Sequence, residues 1–80
     1  MEIKIISEKR TIFQGQGKSI VLPGKRGQFQ VLENHANIFS VLGKGEIVVE
    51  TEKGKKSIFI SSGILELVNN KVTILIQSIR

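Results

Sequence analysis

The chain predicts an all-β fold: a small β-sandwich or flattened barrel of about eight to ten short, mostly antiparallel strands. Three observations predict it. Apolar residues recur at period two in short runs rich in isoleucine and valine, as in strands with one buried face. Helical periodicity is nearly absent. Glycine, asparagine and lysine separate the runs at short intervals. At 80 residues the chain is expected to form one domain, residues 1–80. A chain of this size buries only about 60% of its unfolded surface. With no cysteine, no disulfide can supplement that core, which must be efficient and largely aliphatic.

The elements follow in order. Residues 2–7 read as a first strand, with Ile3 and Ile5 on one face. Residues 11–14 read as a second, and residues 18–22 as a third. Pro23-Gly24 reads as the turn that ends it, because proline lacks an N–H and glycine tolerates positive φ. Residues 28–32 form a short strand with Phe29 and Val31 on one face, 33–37 a loop, and 38–42 another strand closed by Gly43-Lys44-Gly45. A hairpin follows: 46–52 with Ile47 and Val49 inward, a turn at Lys53-Gly54-Lys55, and 56–61 with Ile58 and Ile60 inward. Residues 63–68 and 71–77 make the last hairpin, with Leu65 and Leu67 paired across from Val72, Ile74 and Ile76. Asn69-Asn70 joins them, since asparagine accepts the left-handed conformation of a two-residue turn. The alternation also places Phe13, Phe39 and Phe59 inward, and leaves Phe29 partly exposed at a contact.

Composition excludes several chemistries. One histidine without cysteine does not make a usual zinc site. The absence of aspartate removes a Ser-His-Asp triad. Gly15–Ser19, GQGKS, matches only the tail of a phosphate-binding loop and lacks the upstream glycine, so it reads as a turn. Glu2 and Lys4 interrupt what would be the apolar part of a secretory leader, and no apolar run approaches a membrane span, so a soluble cytoplasmic protein is expected. The net charge of +5 includes doublets at Lys9-Arg10, Lys25-Arg26 and Lys55-Lys56. They read as solvated loops, as a contact for an acidic protein partner, or as a nucleic-acid footprint.

Leu22–Ala36, LPGKRGQFQVLENHA, concentrates special residues: the only proline, the only histidine, and Gly24 and Gly27. This stretch resembles the N-terminal β-sandwich of the epsilon subunit of F-type ATP synthase. The resemblance extends over essentially the whole chain. It includes Ile12-Phe13-Gln14-Gly15 before Val21-Leu22-Pro23-Gly24, then Gly27, Phe29, Val31-Leu32 and Asn34-His35-Ala36. Leu42 and Gly45 follow, and then Ser62-Gly63-Ile64-Leu65-Glu66-Leu67 and Asn70-Lys71-Val72-Thr73-Ile74-Leu75. The sequence departs from the family at Asn37, where proline often follows Asn-His-Ala, which is expected to loosen the loop. It departs again at Ser62, where a glycine usually precedes Gly63, and at Gln28, where a carboxylate is common. It also ends before the family's C-terminal pair of helices.

The resemblance implies a non-catalytic central-stalk subunit, set between the gamma subunit and the ring of membrane c subunits, that passes torque for ATP synthesis. It implies a peripheral place on the cytoplasmic side of the bacterial plasma membrane, without direct membrane insertion. No cofactor, metal or nucleic acid is expected, and without the helices neither ATP binding nor helix-based inhibition of hydrolysis. The candidate contacts with gamma and the ring are Gly24, Lys25, Arg26, Gly27, Gln28 and Phe29, together with Asn34, His35, Ala36, Asn37 and Ile38. Gly24 and Gly27 are expected to let the backbone approach a partner closely, or to serve ordinary turns. His35 reads as a buried, hydrogen-bonded loop anchor, as an interface residue, or as a catalytic or metal group. A small basic β-barrel that binds nucleic acid, and an unrelated sandwich-type interaction module, are the competing readings.

Overall fold

Isoleucine and valine are stiff at Cβ and pack well on a pleated surface, so the alternating runs become strands. The computed structural model describes the backbone of residues 1–79 and the side chains of residues 1–77. Among the described residues there are eight strands and no helix. They are β1 (Glu2–Ser7), β2 (Thr11–Gln16), β3 (Ser19–Gly24), β4 (Gly27–Leu32), β5 (Ile38–Leu42), β6 (Gly45–Thr51), β7 (Gly54–Val68) and β8 (Lys71–Ile79). The strand path β2-β1-β8-β7-β5 makes one layer. The other is β4-β3-β6-β7. A single pairing of Gly24 with Leu42 connects β3 to β5. Neighbours are antiparallel except β1 and β8, which run parallel.

The two layers share β7. The sequence suggests two strands there, 56–61 and 63–68, but the structure has one of fifteen residues. At about 3.3 Å per residue its contour is roughly 46 Å. The longest dimension of the domain is 27 Å, so this strand must bend. Gly54–Ile60 pairs with β6, and Gly63–Leu67 pairs with β5. Between them, register shifts against β8 fall at Ile60/Ser62 and Ser62/Gly63. Such bulges add twist and re-aim a strand. Gly63 is buried at the bend, and a Cβ there would lie 2.9 Å from the Leu75 carbonyl oxygen.

Inward residues from both layers make one aliphatic core: Ile3 and Ile5, Ile20 and Leu22, Ile47 and Val49, Ile58 and Ile60, Leu65 and Leu67, and Val72, Ile74 and Ile76. Burying each such side chain contributes about 1.5–3 kcal/mol. No phenylalanine is fully buried. Phe13 and Phe29 are half-buried against the core, with Lys56 Nζ 5.7 Å from the Phe13 ring centroid. Phe39 and Phe59 are 69% and 53% exposed, contrary to the inward placement expected of them. Each sits one residue out of phase with its inward neighbours, Ile38 and Ile58, so each lies on an outer face.

The turns also differ from the sequence reading. Pro23 and Gly24 belong to β3, and Lys25-Arg26 makes the turn to β4. Likewise Glu52-Lys53 turns the chain, and Gly54 already pairs with Thr51. In both hairpins the glycine after the turn takes the positive φ, 133° at Gly27 and 126° at Gly54. Asn69 and Asn70 take φ of 49° and 63°, the left-handed pair expected there. Gly15–Ser19 carries the end of β2 into β3, and the Gly17 N–H donates to the Met1 carbonyl at 2.9 Å.

Candidate interaction surfaces at the two ends of the sandwich

Strand registers sort the loops into two ends. Leu42 pairs with both Gly24 and Gly63, Gly63 with Ile76, and Ile76 with Ser7. These four pairings share a level, so the Glu8–Arg10, Lys25-Arg26 and Gly43-Lys44 connections lie at one end. At the other end Ser19 pairs with Leu32 and Glu50, and Val68 with Lys71. That end therefore holds residues 33–37, Glu52-Lys53 and Asn69-Asn70.

The candidate residues divide between these ends. Gly24, Lys25, Arg26, Gly27, Gln28 and Phe29 line an open cleft of about 520 Å³, completed by Phe39, Ser40 and Val41 of β5. Lys25, Arg26, Gly27 and Gln28 are exposed. Gly24 is held closely: a Cβ there would meet the Gly27 carbonyl oxygen at 2.8 Å and the Phe29 ring at 2.9 Å. Gly27 differs, because nothing lies within 4 Å of its Cβ position. Its glycine serves conformation within the domain, at φ 133°. The Gly43 N–H donates to the Pro23 carbonyl at 2.8 Å, which fixes the β5–β6 connection beside the Lys25 turn.

Asn34, His35, Ala36, Asn37 and Ile38 stand at the opposite end. There the loop is tied to the β7–β8 turn in both directions. The Asn34 N–H donates to Asn70 Oδ1 at 2.8 Å, and the Asn69 N–H donates to Asn37 Oδ1 at 2.8 Å. Asn37 thus makes a cross-loop bond that proline could not, and the expected loosening is replaced by a latch. The Met1 ammonium donates to the Gly17 carbonyl at 3.0 Å and lies 3.4 Å from the exposed Glu33 carboxylate.

His35 is exposed, not a buried anchor. Its backbone N–H reaches the Leu32 carbonyl at 3.2 Å, and its Nδ1 lies 2.7 Å from the Ala36 carbonyl oxygen. Among the described residues no three His, Cys, Asp or Glu side chains converge as metal ligands would. The arrangement is two candidate surfaces at opposite ends of one domain.

Phe39, Ser40 and Val41 escaped sequence reasoning as neighbours of the Gly24–Phe29 segment. Their signal is topological: β5 returns antiparallel to β7 and brings Leu42 to Gly24.

Known proteins agree with this architecture. An ATP synthase epsilon chain from Endomicrobium trichonymphae is 37% identical over 76 residues, which cover 95% of this chain and 55% of that one. The ATP synthase epsilon chain of Helicobacter pylori (strain ATCC 700392 / 26695) is 39% identical over 75 residues, covering 94% and 61%. The chain thus spans a little over half the length of these relatives. A chain in the cryo-EM structure of Euglena gracilis mitochondrial ATP synthase, OSCP/F1/c-ring in rotational state 1, superposes with a TM-score of 0.89 at 23% identity, over 98% of this chain and 51% of that one. One in the central stalk/c-ring structure of the Tetrahymena thermophila mitochondrial ATP synthase gives 0.84 at 10% identity, over 99% and 64%. Residues 1–80 match the family described as ATP synthase, Delta/Epsilon chain, beta-sandwich domain, and the chain belongs to that family.

Proposed function

We propose that this domain is a non-catalytic rotor component of an F-type ATP synthase, which links the gamma subunit to the membrane c-ring and passes torque between them. It works on the cytoplasmic side of the bacterial plasma membrane, as a peripheral part of the complex. One observation carries the reading beyond family membership: the two candidate contact segments stand at opposite ends of one stiff body. They are separated by the length of β4, six residues or about 17 Å. A connector needs two separate surfaces and little compliance between them. A close-packed aliphatic core deforms little.

The nucleic-acid alternative has less support, because the two outward aromatics lie on different layers. Phe39 pairs with Glu66 on the outer face of one layer, and Phe59 with Glu46 on the outer face of the other. Single-strand binders stack successive bases on neighbouring aromatics.

Co-purification tests the connector reading. Tagged protein is expected to capture gamma and the c-ring together. Gly27→Asp at one end and His35→Glu at the other are each expected to lose one partner and keep the other, with cooperative unfolding retained. Failure of the folded parent to bind either partner would refute the reading. Loss of both partners in each variant would refute the assignment of separate ends.

A further inference from the structure

The end that carries Gly24–Phe29 is also the chain's positive pole. Its three connections hold Lys9, Arg10, Lys25, Arg26 and Lys44, all exposed, against one carboxylate, Glu8. Five cations and one anion give +4 of the chain's net +5. Glu46, the nearest carboxylate beyond these connections in sequence, is half-buried on β6. Among the described residues none of the five cations is in an ion pair.

The array is continuous and fixed. Lys25 shares a groove of about 300 Å³ with Leu75 and Gln77 of β8, and Glu8 borders the same two residues from the β1–β2 side. A Cβ on Gly43 would lie 3.9 Å from Lys25 Cα. The β1–β2 connection is locked by Ser7, whose backbone N–H donates to the Arg10 carbonyl at 2.8 Å. The Ser7 Oγ accepts from the Arg10 N–H at 3.2 Å.

We propose that this pole docks on a partner surface that carries carboxylates, so that charge-assisted hydrogen bonds from Arg10 and Arg26 hold it there. Lys9, Lys25 and Lys44 add attraction at longer range. The inference rests on the connector reading, and it names the chemistry of the partner at this end. Arginine matches a carboxylate with two parallel N–H donors. Cations held on rigid turns suit a surface of fixed pattern, whereas a fluid lipid surface asks for charge without spacing.

The test is binding of the chain to the purified gamma–c-ring complex of the same organism, in detergent, by biolayer interferometry. Raising sodium chloride from about 50 to about 300 mM is expected to weaken the parent about tenfold or more, because exposed charges are screened. Arg10→Glu with Arg26→Glu is expected to bind about tenfold more weakly at low salt, with a flattened salt response. Lys4→Glu with Lys56→Glu, within strands between the two ends, should behave as the parent does. Parent affinity that ignores salt, or an Arg10/Arg26 variant that binds like the parent, overturns the inference and leaves the connector reading standing. Equal, Arg-dependent binding to phosphatidylglycerol vesicles without the ring overturns it in favour of lipid. No binding of the folded parent to the complex at any salt removes the connector reading itself.

Discussion

Replacing Gly63 by alanine probes the bend that joins the two layers. The glycine is buried, and its backbone is extended, so the added methyl acts through space alone. The new Cβ would sit 2.9 Å from the Leu75 carbonyl oxygen, 3.5 Å from Ile76 Cα and 3.6 Å from Ile60 Cδ1. The nearest of these is backbone of a paired strand and cannot rotate away. Overpacking of this kind costs about 1–3 kcal/mol. A domain of this size has roughly 4–12 kcal/mol of stability in all. With an m-value near 1 kcal/mol/M, the urea midpoint should fall by about 1–3 M. Gly15→Ala is the matched control, since its Cβ would meet only the Phe13 ring, at 3.5 Å, an ordinary contact. That substitution should be neutral or raise the midpoint slightly, through a stiffer unfolded chain. Equal midpoints for Gly63→Ala and the parent would refute the idea that the bend has no room for a side chain.

Three further outcomes follow from the geometry. Gly27→Ala has open space but a positive φ, so it should cost about 1 kcal/mol by chemical denaturation, through backbone strain alone. Asn37→Ala should lose about 1 kcal/mol with the bond from the Asn69 N–H, and Asn37→Pro should fail to recover it; unchanged unfolding in either would refute the latch. Phe39→Ser should change stability by less than about 0.5 kcal/mol, because the ring is largely exposed, whereas a core phenylalanine would cost several times more.

The all-β class, the position of most strands and the inward aliphatic set were legible because period-two alternation records which face is buried. The Asn69-Asn70 turn was legible for a local reason, the tolerance of asparagine for positive φ. What local patterns misplaced was decided over longer distances. Pro23-Gly24 looks like a turn, yet Pro23 and Gly24 pair across to Gln28 and Gly27, and the glycine that needs positive φ comes after the turn. Ser61-Ser62-Gly63 looks like a break, but the chain stays paired through it by bulging. Phe39 and Phe59 look like core from local alternation, but the phase of their strands turns them outward. The two candidate segments were legible as special sequence. Their separation to opposite ends, and the gathering of Lys9-Arg10, Lys25-Arg26 and Lys44 at one of them, depend on registers that no short window contains.

The continuity of β7 has a mechanical consequence. Two sheets that meet only through side chains resist slip by packing alone. Here one unbroken backbone is woven into both. A force that enters through β6 passes along the β7 backbone to the segment that pairs with β5 and β8, and relative sliding of the layers would require β7 to be stripped from a neighbour along its length. The load path between layers is therefore a tether in tension.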